Sequence, residues 1–133
     1  LGGFSSIGAE PPDVIVFTGI AGGSTTSSTP VLLFSRTITL KAKSHIIIMV
    51  VPVDVLAGGS GTSFGMKINL DGADLNTFGV SGGTGYIYPT TLSSVALNIG
   101  AGNHTINFYY WGSGSLKTQV DGPITLIVLA IPA

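Results

Sequence analysis

Ser44-His45-Ile46-Ile47-Ile48-Met49-Val50-Val51-Pro52-Val53-Asp54-Val55 is the stretch on which the fold turns. From Ile46 to Val51 it is an unbroken apolar and mostly β-branched run, and β-branched side chains suit extended backbone, where their stiff χ1 costs little. The run reads as a strand. It does not alternate apolar with polar residues, so both of its faces require an apolar neighbour. Pro52 cannot donate to a ladder and belongs at an edge or a bulge. Residues 124–131, Ile-Thr-Leu-Ile-Val-Leu-Ala-Ile, make the same demand at the far end of the chain.

Outward from this centre the apolar period is two. Phe34, Arg36, Ile38 and Leu40 alternate with Ser35, Thr37, Thr39 and Lys41, with Arg36 left on the apolar register to escape at an edge or find a partner. Phe64, Met66, Ile68 and Leu70 share one face of a strand that ends at Asp71-Gly72, a strong turn signal. Residues 75–80 make a weaker strand. Val95, Leu97 and Ile99 face inward, Gly100 to Asn103 turn the chain, and residues 104–111 follow as a strand, so that 94–111 reads as a hairpin. Ile106, Phe108 and Tyr110 lie on one side of it, Tyr109 and Trp111 on the other. No segment carries sustained 3.6-residue periodicity with caps. The chain is therefore expected to be all-β, a single β-sandwich of eight to ten antiparallel strands of jelly-roll or Greek-key type.

The N-terminal part differs in texture. Residues 1–12 are small and turn-rich, with Phe4 and Ile7 as bulky anchors before Pro11-Pro12. Asp13 to Ile20 is a strand, and residues 21–30 have the composition of a flexible linker. The division expected is 1–30 for arm, strand and linker, and 31–133 for the sandwich. A strand on such a tether can pair in its own sheet or reach the sheet edge of a neighbouring copy.

Composition bounds the function. At 133 residues one domain with a real core is expected. Charged residues are 8% of the chain, against roughly 25% in an average soluble protein. A net charge of −1 without a Lys/Arg cluster gives no footprint for nucleic acid. The apolar runs fall short of the roughly 20 residues that a spanning helix needs, so no membrane span is expected. With no cysteine there is no disulfide or thiolate chemistry. The chain opens on Leu1, as a processed secreted chain or a trimmed one would. A weakly charged surface of hydroxyls and glycines favours association with copies of itself.

Candidate chemistry is sparse. Asp71 and Asp74 could offer oxygens to Ca²⁺ if Asp54, Asp121 or carbonyls converge on them, though a plain turn accounts for the pair. His45 and His104 stand at strand starts without the pairing that a metal site needs. Gly112-Ser113-Gly114-Ser115 lacks the strand and helix of a nucleophile elbow. Gly58-Gly59-Ser60-Gly61 has no Lys to make a phosphate loop. No cofactor and no catalysis are expected. Tyr86, Tyr88, Tyr109, Tyr110 and Trp111 are the aromatic concentration. Tyr110 suits the core, and Tyr109 and Trp111 could stack on sugar rings if exposed. Asn103-His104-Thr105 is a glycosylation sequon at Asn103, in an expected turn.

Ile68-Asn69-Leu70-Asp71-Gly72, followed by Val95 to Ile106 with its Gly102-Asn103-His104-Thr105, resembles β-sandwich modules of viral tail fibres and capsid-surface proteins. The processed-looking start, the arm and the low charge are also similar to secreted filament subunits of archaea and bacteria that polymerise by strand donation. Both resemblances imply a self-assembling structural protein. The expectation is a non-enzymatic subunit of an extracellular filament or virion surface that forms a homo-oligomer or homopolymer. Val14, Val16 and Phe17 are expected to enter apolar grooves of a neighbour, with Phe4 and Ile7 at a second contact. Ile47, Met49 and Val51, or the opposite row of the same strand, are expected to lie against another subunit or an arm. The alternative is a glycan-binding or adhesive tip module that holds host-surface glycans through Tyr109 and Trp111.

Overall fold

The computed structural model describes residues 11–57, 63–81, 85–87, 91–112 and 117–133. Phe4 and Ile7 lie outside them. Twelve strands and no helix occur among the described residues: β1 (Asp13–Ile20), β2 (Gly23–Thr25), β3 (Val31–Leu40), β4 (Ser44–Val51), β5 (Asp54–Ala57), β6 (Ser63–Leu70), β7 (Ala73–Ser81), β8 (Gly85–Ile87), β9 (Leu92–Ile99), β10 (Gly102–Trp111), β11 (Thr118–Asp121) and β12 (Ile124–Pro132).

Eight of these strands make two antiparallel sheets, β1-β12-β4-β9 and β3-β10-β6-β7. The chain alternates between them at nearly every step, so strands adjacent in sequence are mostly not hydrogen-bonded. The interleaving is that of a jelly roll. The four short strands form a third sheet, β2-β11-β5-β8. Each lies within a connection between a strand of one main sheet and a strand of the other, and together they close one end of the sandwich.

Between the main sheets lies the core. Ile46, Ile48 and Val50 of β4 and Leu126 and Val128 of β12 are completely buried, and they face Ile68, Ile106 and Phe108 from the other sheet. Phe34 stacks on Phe108, its cross-strand partner, at a centroid distance of 5.4 Å. The two continuously apolar strands thus resolve into two faces. Their inward rows are fully buried, and their outward rows, Ile47, Met49 and Val51 on β4 and Ile127 and Leu129 on β12, are half-buried.

Four local expectations are corrected. Val95 and Leu97 face outward, not inward: the buried row of β9 is Leu92, Ser94 and Ala96, and only Ile99, beyond the positive-φ Asn98, packs against the core. Residues 94–111 do not form a hairpin: β9 pairs with β4, whereas β10 pairs with β3 and β6, and Gly100-Ala101 carries the chain from one sheet to the other. Alternation cannot tell these cases apart, because it marks the two faces of a strand and not the strand it pairs with. The stretch with linker composition contains β2, which pairs with β11. Phe17 turns inward and packs against its own core, on the opposite face of β1 from Val14 and Val16. The expected grouping of all three ignored the period of two. β1 itself pairs with β12 of the same chain from Asp13 to Phe17.

Candidate functional site

The outer faces of the two main sheets are chemical opposites, and the register shows it row by row. Across the first sheet Val14 pairs with Leu129, Leu129 with Ile47 and Ile47 with Val95, an apolar row four strands wide. The next row is Val16, Ile127, Met49 and Ser93. Thr125 and Val51 extend the face towards the capped end, and Ile131, His45 and Leu97 towards the other. No Asp, Glu, Lys or Arg stands in these rows. Val14, Val16, Val95 and Leu97 are 62%, 51%, 58% and 62% exposed. No described segment covers the face. His45 marks its rim, where the Nδ1 atom accepts the Asn98 N–H at 3.1 Å.

Across the second sheet the corresponding row is Ser35, Asn107, Asn69 and Asp74. Asn107 donates through Nδ2 to Asn69 Oδ1 at 3.3 Å, and Asn69 Nδ2 donates to Asp74 Oδ1 at 2.8 Å. Lys67 donates to Asp74 Oδ2 at 3.1 Å and sits 5.2 Å from the centre of the Tyr109 ring. The Asn69 and Lys67 hydrogen bonds hold the Asp74 carboxyl below its ordinary value, against a smaller opposing effect of burial. This outward face is a network of amides and hydroxyls that water can solvate, the normal condition of a sandwich surface. Tyr109 and Trp111 stand half-buried on it, while Tyr110 points into the core. The Trp111 ring lies over its cross-strand partner Gly65, where an added Cβ would collide with the ring.

The polar clusters do not gather into one site. Asp71 and Gly72 both have positive φ, 52° and 90°, as a two-residue type I′ hairpin turn requires. They lie at the open end of the sandwich, with His104. Asp54 and Asp121 oppose each other across β5 and β11 at the capped end. The Asp54 carboxyl is pushed up by its hydrogen bond to Asp121, by burial and by the Asp121 charge. Asp121 is held down by that hydrogen bond and by Gln119, whose Nε2 donates to it at 2.6 Å. The four acids therefore do not converge on a Ca²⁺ position. Among the described residues no group of three His, Cys, Asp or Glu side chains is close enough to hold a metal. An open cleft of about 490 Å³ between residues 19–24 and 119–123 is lined largely by small residues and backbone.

His104 was expected as a polar strand start, and the structure gives it partners that the sequence did not suggest. Its Nδ1 meets Asp71 Oδ2 at 2.5 Å and its Nε2 meets the Gly100 carbonyl at 2.7 Å. Both partners are acceptors, so both ring nitrogens must donate, which only the imidazolium can do. The hydrogen bond to Asp71 raises the His104 pKa, and the carbonyl bond adds to it. Burial pushes Asp71 up, but the bonds from His104 and from the Thr105 N–H outweigh it, and the carboxyl lies below its ordinary value. The pair ties the β6–β7 turn to the β9–β10 crossing. Asn103, beside it, is the second residue of β10 rather than part of a turn, and its Oδ1 accepts the Thr39 hydroxyl at 2.7 Å.

No protein-family profile matches the chain, and no curated protein does. Solved structures do. The dimeric latent PorU of Porphyromonas gingivalis aligns with 91% of this chain at 10% identity and a TM-score of 0.54. The VP2 subviral particle of infectious bursal disease virus aligns with 94% at 18% identity and a TM-score of 0.50. The CBM36-1 domain of a multidomain xylanase from the hindgut metagenome of Trinervitermes trinervoides aligns with 87% at 13% identity and a TM-score of 0.48. The chain spans 13% of that PorU chain and 38% of that VP2 chain, but the CBM36-1 domain is matched over 96% of its length. At these identities the likeness is one of fold, that of a β-sandwich.

Proposed function

We propose that this chain is a non-enzymatic structural subunit that works as a homo-oligomer or homopolymer on a virion or an extracellular surface. The observation that carries this is the outer face of the β1-β12-β4-β9 sheet, an uncharged apolar surface that no described segment covers. A face of this kind left in water is a liability, and soluble monomers rarely keep one. The low charge of the whole chain supports the same reading, since little repulsion opposes contact between copies. Electron microscopy of the purified chain tests it: closed particles or filaments are expected, and a field of monomers at micromolar concentration would contradict it. The narrower form, a filament joined by donation of β1 to the next copy, requires β1 to leave β12 of its own chain. Pairing of β1 with a neighbour's β12, read by cross-linking, is its test.

A second reading is favoured by one observation, the placing of Tyr109 and Trp111 on a face of amides and hydroxyls. Sugars are recognised by aromatic planes beside hydrogen-bonding groups. In this reading the subunit is also an adhesive module that holds host-surface glycans. Binding on a glycan array that is lost with Tyr109→Ala and Trp111→Ala, while both variants keep their strand signal in circular dichroism, would support it. No binding by the native chain would remove it.

A further inference from the structure

We infer that the outer faces of the β1-β12-β4-β9 sheets of separate copies pack against one another, so that this sheet faces the symmetry axis of the assembly. The inference rests on the assembly proposed above and names the surface that makes it. An apolar face is covered best by another apolar face. Of the seven large hydrophobic residues that are well exposed among the described ones, Val14, Val16, Val95, Leu97 and Ile131 lie on this sheet, and only Leu32 and Val53 lie elsewhere. The surface that a second copy can offer in return is therefore the same sheet. The opposite face of the sandwich, with Ser35, Asn107, Asn69, Asp74 and Lys67, would leave charges and amides buried against valines, at a cost in desolvation.

Size supports a second copy over the chain's own arm. Four strands about 4.8 Å apart and roughly eight residues long give a footprint of about 500 Å². Two such faces bury about 1,000 Å², the area at which specific association becomes sustainable. A single extended segment is one strand wide and would cover roughly a quarter of that footprint. The absence of charge in the rows also leaves no ion that would have to be desolvated on contact.

The test uses the full chain and the two ends of one row. Val14→Lys with Val95→Lys places a charge on each edge strand at positions more than half exposed, so folding is kept. Native mass spectrometry is expected to show an oligomer for the native chain and monomers for this variant, while Thr37→Lys, on the opposite outer face, keeps the native mass. Because the chain has no cysteine, Val95→Cys provides a single thiol. Its maleimide labelling is expected to slow at least tenfold as concentration rises through the association range. Oligomers that survive Val14→Lys with Val95→Lys, or a Val95→Cys thiol equally reactive at all concentrations, would overturn the inference and leave the proposed assembly standing. A monomeric native chain would remove the assembly itself. A monomer whose Val95→Cys thiol is protected until Phe4→Ser and Ile7→Ser are added would assign the face to the arm.

Discussion

His104 lies between a carboxylate and a carbonyl, and the charge this imposes has a pH signature. Its pKa in the folded chain is raised above the ordinary 6.5, so its stabilisation is complete below 6.5 and is lost as pH rises through the folded value. Asp71 is lowered from 3.8, so its share is complete above 3.8 and is lost as pH falls through its folded value. The pair is strongest between these limits. Thermal melts should be highest in that window and decline above it by on the order of 1 kcal/mol, a discounted figure because Asp71 is partly solvated. His104→Gln should flatten the upper edge; a decline unchanged in that variant would assign it to another group. At Gly65 the Trp111 ring occupies the place of a Cβ, so Gly65→Ala should displace the ring. As the chain has one tryptophan, the displacement is read directly as a red shift of its emission. Neither contact was legible in the sequence. Both join residues that are distant in the chain, and both depend on a register that no local pattern fixes.

At the scale of the strand, the alternation of Phe34, Ile38 and Leu40, of Met66, Ile68 and Leu70, and of Ile106, Phe108 and Tyr110 was legible, because burial on one face imposes a period of two. Which strand pairs with which was not. Gly100-Ala101 looks like a hairpin loop and is a crossing between sheets, since apolar alternation is the same in both cases. β4 was legible in a stronger sense. Its unbroken apolar run announced two demanding faces, and the register divides them into Ile46, Ile48 and Val50 inside and Ile47, Met49 and Val51 outside. Ile48→Ala should cost about 2–5 kcal/mol in chemical denaturation, the range for a large-to-small change in a closed core. Ile47→Ala in a dilute monomer should cost clearly less. Equal losses would mean that the outward row is as enclosed as the inward one.

At the scale of the molecule, the jelly roll makes one sheet wet and leaves the other apolar across its full width. The sequence disclosed the imbalance through β4 and β12, but not its continuity, because the four-strand row of Val14, Leu129, Ile47 and Val95 exists only once the strands are ordered. The alternation that puts Tyr109 and Trp111 on the polar side was legible, whereas the amide network around Asn69 was not, for its members come from β6, β7 and β10. Self-association through the apolar sheet is read by sedimentation equilibrium of the full chain from nanomolar to high micromolar concentration. The mass is expected to rise to a fixed multiple of 13.5 kDa in the native chain and to stay at the monomer with Val14→Lys and Val95→Lys. A native chain that remains monomeric throughout that range would contradict it.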